Sequence, residues 1–329
     1  MVFGNVKCMR KAMKVLLAVD GSQYGLAAVE ETARMPWPEG SVVRIVSVAE
    51  LPTTALAWGM PVSTGTIEEW EKIFEDRSSE NVAQALARFN EIAGGQTEVT
   101  VKTLKGDPKS GILDEAGHWE ADLIIVGTHG YGVLERIWLG SVSRAIASHA
   151  RCAVRIVRRS DASVTSDKTK GMKILLAVDG SKFSDATVEE VASRPWPQGT
   201  EIRILSALHL QFAPTPEVWA LPNSYYARLE ESMREQGESA VQHAASRLRD
   251  SNSEREAPLT VTTEVIPGHA EEIVIEVAKT WNADLIVLGS HGRSGMGRFL
   301  LGSISQAVAS HAPCSVEIVR KEISPAPTP

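Results

Sequence analysis

The chain says almost everything twice. KVLLAVDGS (14–22) returns as KILLAVDGS (173–181) and MPWPEG (35–40) as RPWPQG (194–199), both 159 residues on. ADLIIVGTHG (121–130) returns as ADLIVLGSHG (283–292) and SHARCAVRIV (148–157) as SHAPCSVEIV (310–319), both 162 residues on. Solenoid repeats run to roughly 20–50 residues, so a period this long means two duplicated domains. The offset grows by three, which places a small net insertion in the second copy between its PWP segment and residue 268. The expected boundaries are a first domain over 1–159, a polar linker over 160–170 and a second domain over 171–323. The Pro-rich end, 324–329, is expected to be disordered.

Each copy alternates strand and helix. VLLAV (15–19) is a continuous apolar run, as a parallel strand covered on both faces requires. Gly21-Ser22 opens a helix that Pro36 ends, and VVRIVSV (42–48) reads as the second strand. A long charged helix is predicted over about 66–93, and EVTVKTL (98–104) alternates like an edge strand. Asp107 can cap the next helix with Pro108 at its first position, where a missing N–H costs nothing. LIIVG (123–127), a helix after Gly140 and AVRIV (153–157) complete the set. The pattern predicts the α/β class: two tandem doubly wound, Rossmann-like domains with mostly parallel sheets and helices on both faces.

Composition then excludes several functions. A net charge of −7 and a pI near 5.7 argue against nucleic-acid binding, which needs a concentrated basic face. No apolar run reaches the roughly 18 residues that span a membrane. The start of the chain leads through MKVLLAV into an Asp-Gly turn and reads as a strand rather than a signal peptide. Cys8, Cys152 and Cys314 are too few and too far apart for a disulfide framework or a Cys-rich zinc site. A cytoplasmic location is expected.

The loop GTHGYGVLERIWLGS (127–141) and its counterpart GSHGRSGMGRFLLGS (289–303) share one glycine spacing with different filler. In doubly wound folds ligands sit at the carboxyl ends of strands, where the winding reverses. Glycines there let backbone approach a bulky anion, and a helix N-terminus offers free N–H groups and a positive dipole. The spacing therefore reads as a phosphate cradle made of backbone; the bland alternative is ordinary turn and cap glycines. Asp20 and Asp179, each in A-V-D-G-S, could cap a turn, contact a ribose or base, or do both. His129 and His291 read as packed neutral imidazoles rather than bases. Trp37 and Trp196 look like structural stops, whereas the loops carrying Trp58 and Trp219 could be lids or packed surface.

G-x2-G-x9-G-[ST], present in both copies beside an Asp that ends the first strand, resembles the ATP-binding signature of the universal stress protein family. The resemblance covers nearly the whole chain. It implies a five-stranded parallel sheet of order 3-2-1-4-5 in each domain, and ATP bound with Mg²⁺ or Mn²⁺. It also implies that Ala18, Asp20 and Val48 contact adenine and ribose, while Val126, Gly127, Gly130, Gly140, Ser141 and Val142 hold the phosphates. In the second copy it implies the same of Ala177, Asp179 and Ala207, and of Leu288, Gly289, Gly292, Gly302, Ser303 and Ile304. Single-domain relatives often dimerise through the fifth strand, so an internal pseudo-dimer of the copies is expected, with a homodimer also open.

No G-x-S-x-G elbow, H-E-x-x-H or kinase set occurs, and no catalytic residue or protein-built metal site is assigned. The expected function is an ATP-binding stress-response module with little or no turnover. A slow ATPase or nucleotide-transfer enzyme, and a nucleotide-free scaffold for protein association, are the alternatives. Arg293, Gly295, Gly297 and Arg298 stand where the first copy has Tyr131, Val133, Glu135 and Arg136, which favours tighter ATP binding by the second copy.

Overall fold

The computed structural model describes residues 11–50, 64–128, 139–158, 171–208, 223–252, 255, 257–292 and 301–320. Cys8, Trp58, His129, Gly130, the filler 131–138 and 293–300, the linker, Trp219 and the tail lie outside them. The chain splits into two compact units, one over Arg10–Asp161 and the other containing Ala162–Pro329.

The first unit runs β1 (Lys14–Ala18), α1 (Gln23–Arg34), β2 (Val42–Ala49), α2 (Thr64–Ala93), β3 (Glu98–Lys105), α3 (Pro108–Trp119), β4 (Leu123–Gly127), α4 (Ser141–His149) and β5 (Ala153–Val157). Its strands are parallel in the order β3-β2-β1-β4-β5. The second unit runs β6 (Lys173–Ala177), α5 (Lys182–Ser193), β7 (Glu201–Leu208), α6 (Asn223–Asn252), β8 (Thr260–Pro267), α7 (Ala270–Trp281), β9 (Leu285–Gly289), α8 (Ser303–His311) and β10 (Ser315–Val319). Its order, β8-β7-β6-β9-β10, is the same topology. Both are the doubly wound α/β domains expected. The first strand sits one residue earlier than the apolar run suggested, and the long helix begins at 64 rather than 66. The offset is still 159 across α2 and α6 and becomes 162 at β3 and β8, so the insertion lies in the loop after the long helix. That loop carries Arg255, whose guanidinium donates to the carbonyls of Ala192 and Arg194 at the carboxyl end of α5.

Why these segments form these elements is largely local. Ser22 and Ser181 cap α1 and α5 by accepting from the N–H of Gly25 and Ser184. Asp107 caps α3 through Ser110, with Pro108 at its start. Trp37 and Trp196 donate their indole N–H to the carbonyls of Thr32 and Val191, both at 2.9 Å, fastening the PWP turn to the last turn of the helix before it. β1 is buried on both faces and carries the continuous apolar run that parallel packing demands. One face of the first sheet packs Leu17, Ile45 and Ile125 against Val29 of α1 and Phe89 of α2.

A charged cluster ties α3 to the outer strands of the first unit. Glu115, 5% exposed, accepts from Arg44 at 2.8 Å and from Lys102 at 2.6 Å, and Arg44 also stacks on Trp119. Burial alone would raise the Glu115 pKa, but the hydrogen bonds from Lys102 and Arg44 outweigh it and hold it below the usual value. A lowered carboxyl pKa stabilises the fold above the ordinary glutamate range, and that stability is lost as pH falls through the folded-state value. The second copy has Val277 at this position. We expect Glu115→Val to be tolerated within about 1 kcal/mol and to flatten the acid limb of stability, because its cationic partners can reach water. Arg44→Met should cost about 2 kcal/mol by stripping a hydrogen bond from a buried carboxylate. Urea midpoints for both variants across an acid pH series measure this, and equal losses would contradict it.

Candidate functional site

The carboxyl ends of β1, β2 and β4 open into a cavity of about 410 Å³, bounded by the start of α4 and by one face of α2. Eight of the nine first-copy residues singled out from the sequence line it: Ala18, Asp20, Val48, Val126, Gly127, Gly140, Ser141 and Val142. The ninth, Gly130, lies outside the described residues. The second unit places Ala177, Asp179, Ala207, Leu288, Gly289, Gly292, Gly302, Ser303 and Ile304 at the same strand ends and helix start.

No side chain caps the start of α4. Gly140 is its N-cap and provides no side-chain bond, and Gly302 does the same for α8, whereas α1, α3 and α5 are capped by side chains. First-turn N–H groups without a side-chain cap are the usual seat of an anion. Gly140 N–H itself is committed to the Thr128 carbonyl at 2.8 Å, and Gly302 N–H to Ser290 at 2.9 Å, so each cradle is pinned to the strand before it. Ser143 and Ser305 add a second pin, donating to the carbonyls of Gly127 and Gly289 at 2.6 and 2.8 Å.

The glycines carry a packing duty that spacing alone did not reveal. A Cβ on Gly127 would lie 2.7 Å from the carbonyl carbon of Tyr24, so its bareness lets α1 sit against the end of β4. A Cβ on Gly292 would lie 2.8 Å from Asp179 Oδ2, which closes the turn after β9 onto the end of β6. Asp20 and Asp179 each accept from the N–H two residues on, Ser22 at 3.0 Å and Ser181 at 2.9 Å. Turn-building and cavity-lining thus coexist in Asp20. His291 packs on Phe183 with ring centroids 5.2 Å apart and meets Ser290 Oγ at 3.2 Å, a structural setting. Cys314 is buried and Cys152 half-buried. Among the described residues no group of three or more His, Cys, Asp or Glu could hold a metal ion.

Sequence reasoning missed the wall supplied by α2. Phe74, Arg77, Ser78 and Asn81 line the cavity with Ser47 of β2. The signal was present: buried Val82, Ala85 and Phe89 mark the inner stripe of α2, and Ser78 and Asn81 interrupt its continuation with polar groups. Lys109 and Arg144 flank Ser141 in a shallow hollow on the outer side of the same helix start. At the positions of Arg77, Lys109 and Arg144 the second copy carries Gln236, Glu271 and Gln306.

A parallel doubly wound sheet, duplicated in tandem, with a glycine-capped helix start facing the strand ends, defines a class of tandem α/β modules. The universal stress protein family model matches residues 11–158 and 172–320, and the chain belongs to that family. Universal stress protein Rv2005c of Mycobacterium tuberculosis is 28% identical over 319 residues, covering 95% of this chain and 98% of that protein. A universal stress protein of Mycolicibacterium smegmatis is 27% identical over 307 residues, covering 93% and 96%. Among solved structures, a universal stress protein from Archaeoglobus fulgidus shares the fold over 95% of this chain and 97% of its own, with a TM-score of 0.57 at 19% identity. Among the described residues no helix is long and apolar enough to cross a membrane.

Proposed function

We propose that this protein is an ATP-binding module that couples nucleotide state to a stress response and turns ATP over slowly or not at all. The observation that carries the reading is the meeting of eight motif residues around one cavity at a helix start without a side-chain cap. The N–H groups of Ser141 and Val142 would hold phosphate oxygens, with Ala18, Asp20 and Val48 on the base and ribose. Mg²⁺ or Mn²⁺ would arrive with the phosphates, neutralising charge there; the chain's own share is to bind and orient. Association of the two copies through their fifth strands belongs to the same proposal and rests on the edge-strand argument from sequence.

The ranking of the two sites changes once the walls are considered. The filler that favoured the second copy lies mostly outside the described residues. Arg77 in the cavity wall, with Lys109 and Arg144 beside the same helix start, makes the first site the more attractive to a polyanion, each by at most about 1 kcal/mol because all three are exposed, and Glu50 in the wall offsets part of it. Calorimetric titration with ATP and Mg²⁺ is expected to show two sites, the tighter of which Gly140→Trp removes and Gly302→Trp spares. At 100 times Kd the ligand should add about 2.7 kcal/mol of stability, read as a raised melting temperature. Turnover near roughly 10 s⁻¹ would replace the binding module with an enzyme. Absence of any binding would leave the scaffold reading.

A further inference from the structure

We infer that the two copies discriminate between nucleobases differently, and that Ser78 sets the difference; this rests on the nucleotide reading above. Ser78 sits in the middle of α2, is 2% exposed, and its Oγ has no hydrogen-bond partner although it borders the cavity. A helical hydroxyl ordinarily bonds the carbonyl one turn back. Thr32 and Thr187 do so here, to Ala28 at 2.6 Å and Phe183 at 2.8 Å. A buried hydroxyl left unsatisfied is unfavourable, and it persists where a guest completes it.

Its neighbours extend the same polar edge. Asn81 directs Nδ2 toward Ser47 Oγ at a long 3.5 Å, while its Oδ1 lies where a side chain on Gly21 would have to be. Asn81 is thus held against the turn after β1 by the bareness of Gly21, whose φ of +77° suits glycine. Ser47, Ser78 and Asn81 line the same cavity as Val48 and Ala49 and bring hydroxyl and amide groups to its wall.

The second copy keeps the serine of the strand end, Ser206 for Ser47, and replaces the other two polar groups. The residues corresponding to Ala49, Ser78 and Asn81 are Leu208, Gly237 and Ala240. A Cβ on Gly237 would stand 2.7 Å from Leu208 Cδ2 and 3.1 Å from Val265 Cγ1. Leucine and glycine in the second copy therefore exchange volume with alanine and serine in the first. One pair leaves room beside a hydroxyl, and the other fills that room with methyl groups. The first cavity would accept a purine whose ring edge carries an exocyclic amino or keto group, with Ser78 completing its hydrogen bond. The second would be indifferent to that group.

The test uses the full chain carrying Gly302→Trp, titrated with ATP and with purine riboside triphosphate, which lacks the exocyclic group. The parent should prefer ATP by about tenfold or more, the size of one net hydrogen bond. Ala49→Leu with Ser78→Gly, the pair the second unit already packs, should bring the ratio to about one. Ser78→Ala gives a second route: the ratio should fall while the ligand-free melting temperature rises, because an unsatisfied hydroxyl has gone. An unchanged ratio in both variants, or a parent without preference, overturns the inference and leaves ATP binding standing. A chain without Gly302→Trp that binds neither triphosphate removes the nucleotide reading itself.

Discussion

Replacing Arg194 by methionine, the residue the first copy carries at the same place as Met35, is expected to destabilise the second unit by about 3–5 kcal/mol. Arg194 is 3% exposed and donates to Glu317 at 2.6 Å and to Glu190 at 2.7 Å, and Glu317 is itself 1% exposed. Burial works against the guanidinium charge, but Glu317 and Glu190 outweigh it and raise its pKa, so the guanidinium keeps its charge. Attraction and desolvation nearly cancel in an intact buried pair. Removing one member takes away a large part of what offsets the other's desolvation. The first copy has Arg155 where the second has Glu317, paired with Glu31 at 3.4 Å, so each unit solved this position with its own charge pattern. Denaturant-dependent hydrogen exchange of the β10 and α5 amides measures the loss. Arg194→Met combined with Glu317→Leu should recover most of it, and a single-variant loss under about 1 kcal/mol would show that the guanidinium is not what holds Glu317.

The second large effect separates the two copies at an identical motif position. Gly127→Ala places a methyl 2.7 and 2.8 Å from the carbonyl carbon and oxygen of Tyr24, both backbone atoms within α1. Backbone cannot step aside as a flexible side chain can, so about 2–3 kcal/mol of overpacking is expected. The shift would also move the Gly127 carbonyl that Ser143 holds at 2.6 Å, and with it the start of α4. At Gly289 the nearest atoms are 3.2 Å away on Phe183 Cβ and 3.3 Å on the His291 carbonyl oxygen, a contact that relaxes by a few tenths of an ångström. Gly289→Ala should therefore cost under about 1 kcal/mol. Thermal unfolding of the two variants compares them directly, at about 2–4 °C per kcal/mol for a domain of this size. Equal shifts would mean that the two strand ends are equally crowded.

These two effects mark where reading the chain stops being enough. The duplication, the alternation of strand and helix, the caps at Ser22, Ser181 and Asp107 and the edge character of β3 were all written within a few residues of where they act. Local hydrogen bonds and the periodicity of burial operate over that range, so sequence alone determined the fold, and its glycine spacing pointed to the strand ends as the site. The chemistry of the walls was a different matter. Arg194 meets Glu317 across 123 positions, and Ser47 faces Asn81 across 34. The exchange of Ala49 and Ser78 for Leu208 and Gly237 makes sense only when a strand end and a helix middle are known to touch. Which polar groups remain open inside a cavity depends on how distant segments pack, and packing is a property of the assembled tertiary structure rather than of any stretch of chain.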